Sequence, residues 1–210
     1  MIEITSLDKA EKFVRERVKG FDSGHDWWHI MRVRRLARYI NETEFSEDPY
    51  LVDTAALFHD FADSKFSGGN QEETIELVRQ FLKENGMDNF INGVSNTMKY
   101  ISFSSRGKTG GMRDNLLLVV QDADRLDAIG AIGIARAFNY GGYRNNIIYS
   151  PVVDENKNST INHFYEKLLL LSSMMNTETG KRLAFERHQF LELFLKQFHN
   201  EWNSDTFNLF

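Results

Sequence analysis

One imidazole and two carboxylates stand in a short apolar stretch, Leu57-Phe58-His59-Asp60-Phe61-Ala62-Asp63. Adjacent helical side chains diverge by about 100°, so His59 and Asp60 converge on one object only at a helix end. A metal ion is the commonest such object. Asp63 follows Asp60 by one turn on the same face, where it is suited to hold a water bound to that ion. A His-Asp dipeptide also arises by chance, and a second one stands at His25-Asp26. The assignment therefore depends on what accompanies the first.

Of six histidines, only His29 and His59 lie on apolar helix faces suited to the centre of the fold. Downstream, the apolar run Val119-Val120-Gln121-Asp122-Ala123-Asp124-Arg125-Leu126-Asp127 carries carboxylates. Asp124 and Asp127, three apart, share a face, and Asp122 points elsewhere. Two imidazoles with two carboxylates form a nitrogen-oxygen donor set suited to Mn, Fe, Co, Ni or Zn, with positions open for water or phosphate oxygens. Mg²⁺ fits two imidazoles less well.

Helices must position these groups. Leu7 to Lys19 reads as an amphipathic helix ending near Gly20. Ile30, Val33, Leu36, Ala37 and Ile40 repeat at helical spacing, with Arg32, Arg34, Arg35 and Arg38 on the polar positions. A third helix, Pro49 to Ala62, is apolar almost all round, which means burial on every side. Gln71 to Asn85, closed by Gly86, and Asp88 to Phe103 are further helices. Arg113 to Phe138 reads as one or two helices, and Ile161 to Met175 as one. Thr177 opens a long last helix with Leu183, Phe190, Phe194 and Phe198 along one side, the three phenylalanines being assigned to the core. Asn139 to Thr160 has no clear period, which marks it as mobile or functional. No strand pattern competes, so the expected fold class is all-α, with residues 1–210 forming a single domain.

Absence of cysteine excludes disulfides and thiolate metal sites. A net charge of −5 disfavours nucleic-acid polymers and anionic membranes. No leader pattern or membrane-length apolar run is present, so the expected location is the cytoplasm. Gly107-Lys108-Thr109 is not a phosphate-binding loop, because Ser102 stands where that motif needs glycine; Lys108 or Arg106 on a basic flap is the alternative.

The order His29, then His59-Asp60, then Asp124 within Ala-Asp-Arg-Leu resembles the HD-domain metal-dependent phosphohydrolases. Three stretches, 25–33, 121–130 and 163–169, are similar to the small bacterial YedJ/YpgQ branch, and the likeness covers almost the whole chain. It implies an all-helical fold and one divalent metal, expected to be Mn, on His29, His59, Asp60 and Asp124. The implied activity is hydrolysis of phosphoanhydride or phosphoester bonds, with nucleotide (NTP or dNTP) pyrophosphohydrolysis in this branch. Asp63 matches a position where several such enzymes carry Glu as acid/base. His25, Lys65, Arg125, His163 and Lys167 are candidate substrate contacts; Arg125 is equally suited to a neighbouring carboxylate. His25-Asp-Trp-Trp-His29 mimics a zinc-protease helix, but Asp replaces Glu and a glycine precedes it. The absence of histidine between His59 and His163 points to a mononuclear site. Competing readings are a nucleoside monophosphate phosphatase and a nucleotide-binding module without turnover. The expected partner is a phosphorylated small molecule; no oligomeric state follows from the sequence.

Overall fold

The computed structural model describes residues 2–20, 26–62, 70–101 and 114–203, and every regular element among them is helical. In order these are α1 (Ile2–Arg17), α2 (Trp27–Glu44), α3 (Pro49–Phe58), α4 (Gln71–Glu84) and α5 (Ile91–Tyr100). Then follow α6 (Asn115–Asp127), α7 (Gly130–Tyr143), α8 (Val153–Asn156), α9 (Thr160–Glu166) and α10 (Glu178–Trp202), with short 3-10 turns between some of them.

α3 is the central element, packed by α1, α2, α5 and α6, as its unbroken apolar surface requires. Asp48 caps it by accepting from the Tyr50 amide, and Pro49 takes the first position, where no amide donor is needed. The helix stops at Phe58, short of the expected Ala62, and His59 is its C-cap. α2 presents Ile30, Val33, Ala37 and Ile40 to the core, following the expected period. Two of its arginines reach inward: Arg34 and Arg38 both donate to Asp53, a fully buried carboxylate on α3.

The apolar run at 116–120 is helical, and the stretch read as one or two helices holds two, α6 and α7, of which α7 continues to Tyr143; Arg113 lies outside the described residues. Gly130 separates them at φ +74°, a left-handed conformation that side chains rarely adopt. The segment 139–160 is tied down by backbone bonds: the amides of Thr160 and Ile161 donate to the carbonyls of Ile147 and Ile148.

Two sequence expectations need correction. The helix expected to run from Ile161 to Met175 ends at Glu166; Lys167 leaves helical space (φ −137°), and 3-10 turns at 168–170 and 172–174 follow. Three residues per turn then align Leu168 with Leu171, and both are buried. Phe190 is not core but 47% exposed. Residues spaced by four drift about 40° per step around a helix, so Phe190 lies off the face that buries Ala184, Leu191 and Leu195.

Asp122, fully buried on α6, accepts from the amides of Asn176 and Thr177 and from the Thr177 hydroxyl at 2.8–3.0 Å, which anchors the start of α10. Burial pushes this carboxyl up, against the lowering effect of those donors. A Cβ on Gly180 would stand 2.5 Å from Asp122 Oδ2 and 2.7 Å from Thr177 Oγ1. Gly180→Ala is therefore expected to be net destabilising: overpacking costs about 1–3 kcal/mol, against a helix-propensity gain of ~1 kcal/mol. A urea midpoint at or above that of the parent would refute this.

Candidate metal centre

Only residues 45–48 separate α2 from α3, so the two helices run antiparallel and the start of α2 meets the end of α3. His29, on the first turn of α2, thereby faces His59, with ring centroids 5.3 Å apart. Asp26 caps α2, accepting from the His29 amide at 2.8 Å. His25, the other histidine of the zinc-protease-like spacing, lies outside the described residues.

The carboxylates close around the imidazoles. Asp60 Oδ2 lies 3.1 Å from His29 Nε2, and Asp60 Oδ1 lies 3.3 Å from His59 Nε2. Asp124, across from them on α6, brings Oδ1 to 3.6 Å and 3.8 Å from the same nitrogens. One ligand atom each from His29, His59 and Asp124 fall within 4.8 Å of one another. Both imidazoles are fully buried, whereas the side chains of Asp60 and Asp124 are 14% and 33% exposed, so the cluster opens on its carboxylate side.

Protonation shows what the cluster lacks. His59 Nδ1 donates to the Ala56 carbonyl at 2.8 Å, which leaves the lone pair on Nε2. That nitrogen is buried without a hydrogen-bond partner and faces acceptor oxygens. A buried acceptor left without a donor costs about 1–3 kcal/mol. A cation among these atoms satisfies all of them at once, and the nitrogen-oxygen set fits a divalent transition metal.

At His29, burial and the charge of Arg136 disfavour protonation, but hydrogen bonds to Asp127 and Asp60 prevail and raise its pKa to about 9. A proton on this ring occupies the position that a cation would otherwise neutralise.

Asp127 was not assigned a role from sequence. Its Oδ2 accepts from His29 Nδ1 at 2.8 Å, Arg32 binds it through Nε and Nη2 at 2.7 and 3.1 Å, and Arg136 of α7 reaches it at 3.0 Å. Burial disfavours its charge, yet His29 and the two guanidiniums hold the carboxyl well below the usual range. The available signal was paired spacing: His29 and Arg32 are three apart on α2, as Asp124 and Asp127 are on α6.

The structure brings His29, His59, Asp60 and Asp124 together. Asp63, His25 and Lys65 lie outside the described residues, as do Arg106 and Lys108. Arg125 donates to the Met174 carbonyl and lies 3.6 Å from Asp122, on the structural side of α6. His163 is on α9, and Lys167 is its C-cap, its amide donating to the His163 carbonyl. Lys167 thus stands at the end of the helix that carries His163.

Among the described residues, no helix is long and apolar enough to cross a membrane. The HD-domain family profile matches residues 27–129. YpgQ of Bacillus subtilis (strain 168) is 38% identical over 209 residues, covering 96% of each chain. The crystal structure of that YpgQ in complex with ADP superposes with a TM-score of 0.78 at 36% identity, covering 96% of this chain and 97% of the other. An HD-superfamily hydrolase from Bacillus thuringiensis gives a TM-score of 0.72 at 35% identity over 96% of this chain and 98% of its own. Helical architecture, paired imidazoles with carboxylates and these likenesses converge: the chain belongs to the HD-domain superfamily, with the YpgQ-like HD hydrolases.

Proposed function

We propose that this protein is a metal-dependent nucleotide pyrophosphohydrolase that converts an NTP or dNTP and water to the monophosphate and pyrophosphate. The observation that carries the reading is the unpartnered, buried Nε2 of His59 among His29, Asp60 and Asp124. The ADP bound by YpgQ supports a nucleotide as the class of substrate. His29, His59, Asp60 and Asp124 would hold one divalent transition metal, with Mn the expected ion and Fe, Co, Ni or Zn accepted by the same donors. Such an ion supplies Lewis acidity toward phosphate oxygens and acidifies water.

The chain does the rest. Asp60 and Asp124, the exposed members, face the side from which substrate and water enter. Asp63 takes the proton from the attacking water. As the new P–O bond forms, the α–β phosphoanhydride breaks, and the bonding electrons leave with pyrophosphate. Lys65, His163 and Lys167 offset charge on the leaving oxygens and His25 contacts substrate. Arg125, engaged with Met174 and Asp122, contributes to the local positive field.

The test is product analysis with Mn²⁺ over a panel of NTPs, dNTPs and monophosphates. Pyrophosphate plus monophosphate in equal amounts is the expected result. Orthophosphate from monophosphates would make the protein a nucleotidase, and nucleotide binding without turnover would make it a regulatory module; either overturns the proposal.

A further inference from the structure

Asp127 and its two arginines are not among the residues assigned to the metal, yet they enclose the far side of one ligand. We infer that Asp127, clamped by Arg32 and Arg136, is the positioning residue for His29; this rests on the metal-site reading above. Two rungs link α2 to α6: His29 with Asp124 and Asp127, and Arg32 with Asp127 one turn further on. Asp127 Oδ2 takes the Nδ1 proton of His29, so the Nε2 lone pair of the same ring is directed toward Asp60 and Asp124. An acceptor on the outer nitrogen of a ligating imidazole fixes both its tautomer and its rotation.

The two guanidiniums determine what Asp127 can be. Arg32 and Arg136 have only donors to offer, as does His29 Nδ1–H in the ligating tautomer. Among the described residues, every hydrogen-bond partner of this carboxylate is a donor, and an acceptor-only side chain satisfies them all. The group is 1% exposed, so water does not make up a mismatch.

Asp127→Asn and Asp127→Ala separate positioning from simple support. Asparagine keeps shape and volume. Oδ2 meets His29 Nδ1, Arg32 Nη2 and Arg136 Nη1, whereas Oδ1 meets Arg32 Nε, so the amide oxygen takes the place of Oδ2 and the NH₂ opposes Arg32 Nε. Asparagine thus loses the charge and one bond of the clamp but still accepts from Nδ1, whereas alanine leaves the ring without an acceptor, free to turn or to carry its proton on Nε2. Positioning therefore makes Ala the weaker binder, with Mn²⁺ affinity lowered about 10–100-fold, while Asn stays within about threefold of the parent although the lost charge destabilises it. A purely structural salt bridge makes affinity fall in step with stability in both variants.

The measurement is Mn²⁺ titration calorimetry on the three folded proteins, with metal-free melting temperatures recorded beside it. The expected result is that both variants melt below the parent but only Ala loses Mn²⁺ affinity. If affinity falls in step with stability in both, or Ala binds as tightly as the parent, the positioning role is overturned although the metal site stands. If the parent itself binds no Mn²⁺, the metal-site reading fails and this inference with it. Asp127→Glu, which keeps an acceptor-only end, is expected to bind more tightly than Ala; equal weakness would count against the tautomer argument.

Discussion

Asp124→Ala protein is expected to fold normally and to show no stabilisation by Mn²⁺. The parent, at a metal concentration 100 times Kd, should gain about 2.7 kcal/mol by mass action, or roughly 5–10 °C in melting temperature for a chain of this size. Asp124 is the most exposed member of the cluster, so its loss removes a ligand without opening the core. Hydrolysis should fall on the order of 10³-fold or more, the equivalent of several kcal/mol of Lewis-acid stabilisation. His59→Ala should abolish binding as well, but with a loss of stability, because that ring is fully buried and bonded to the Ala56 carbonyl. Retention of a full Mn²⁺ shift by Asp124→Ala would remove Asp124 from the site. Acid should weaken binding in the parent: His29 holds a proton below about pH 9 in the metal-free protein, and metal must displace it. Affinity is then expected to drop up to about tenfold per pH unit below that value.

The four residues of the cluster were legible in the sequence because each stands on, or at the end of, a strongly patterned helix. His59 and Asp60 close the most apolar helix of the chain, and Asp124 interrupts an apolar run where an unpaired carboxylate is costly. Helical period therefore identified the elements, and polar residues inside apolar patterns identified the chemistry. Asp127 and Arg136 escaped for a physical reason. Their roles depend on the angle at which α7 leaves Gly130, and tertiary geometry of that kind has no local pattern. Arg32 looked like any polar-face arginine, since the spacing that puts it beside Asp127 also puts a residue in solvent. Arg125 and Lys167 rest on thinner signals, adjacency to a carboxylate of the cluster and a four-residue interval; the first is bonded to the Met174 carbonyl and the second stands at the end of its helix. Phe190 shows that phenylalanine on a long helix is read as core only when the drift of the stripe is followed.

Asp53→Ala is expected to be the most destabilising of these substitutions, although it touches no proposed ligand. The carboxylate lies on α3 with no exposure and accepts from Arg34 Nη2 at 2.7 Å and from Arg38 Nε and Nη2 at 2.7 and 2.8 Å. Arg34 also binds Glu11, so α1, α2 and α3 meet at one ion network. Removing Asp53 leaves the nearly buried Arg34 guanidinium to Glu11 alone. Breaking one side of such a buried pair costs about 3–5 kcal/mol, a fall of roughly 6–20 °C at the 2–4 °C per kcal/mol usual for this chain length. Arg38→Ala should cost far less, because that side chain is 42% exposed and Arg34 remains on Asp53. A loss below about 1 kcal/mol for Asp53→Ala in urea unfolding would show that the network is dispensable. Buried ion pairs often add little net energy compared with apolar groups of the same volume. Replacing Asp53, Arg34 and Arg38 together by apolar residues should therefore recover much of the stability lost by Asp53→Ala. Mn²⁺ affinity of that triple variant then reveals what the charges do. A stable protein with weakened metal binding would mean that the network fixes the register of α2 against α3, and through it the meeting of His29 with His59.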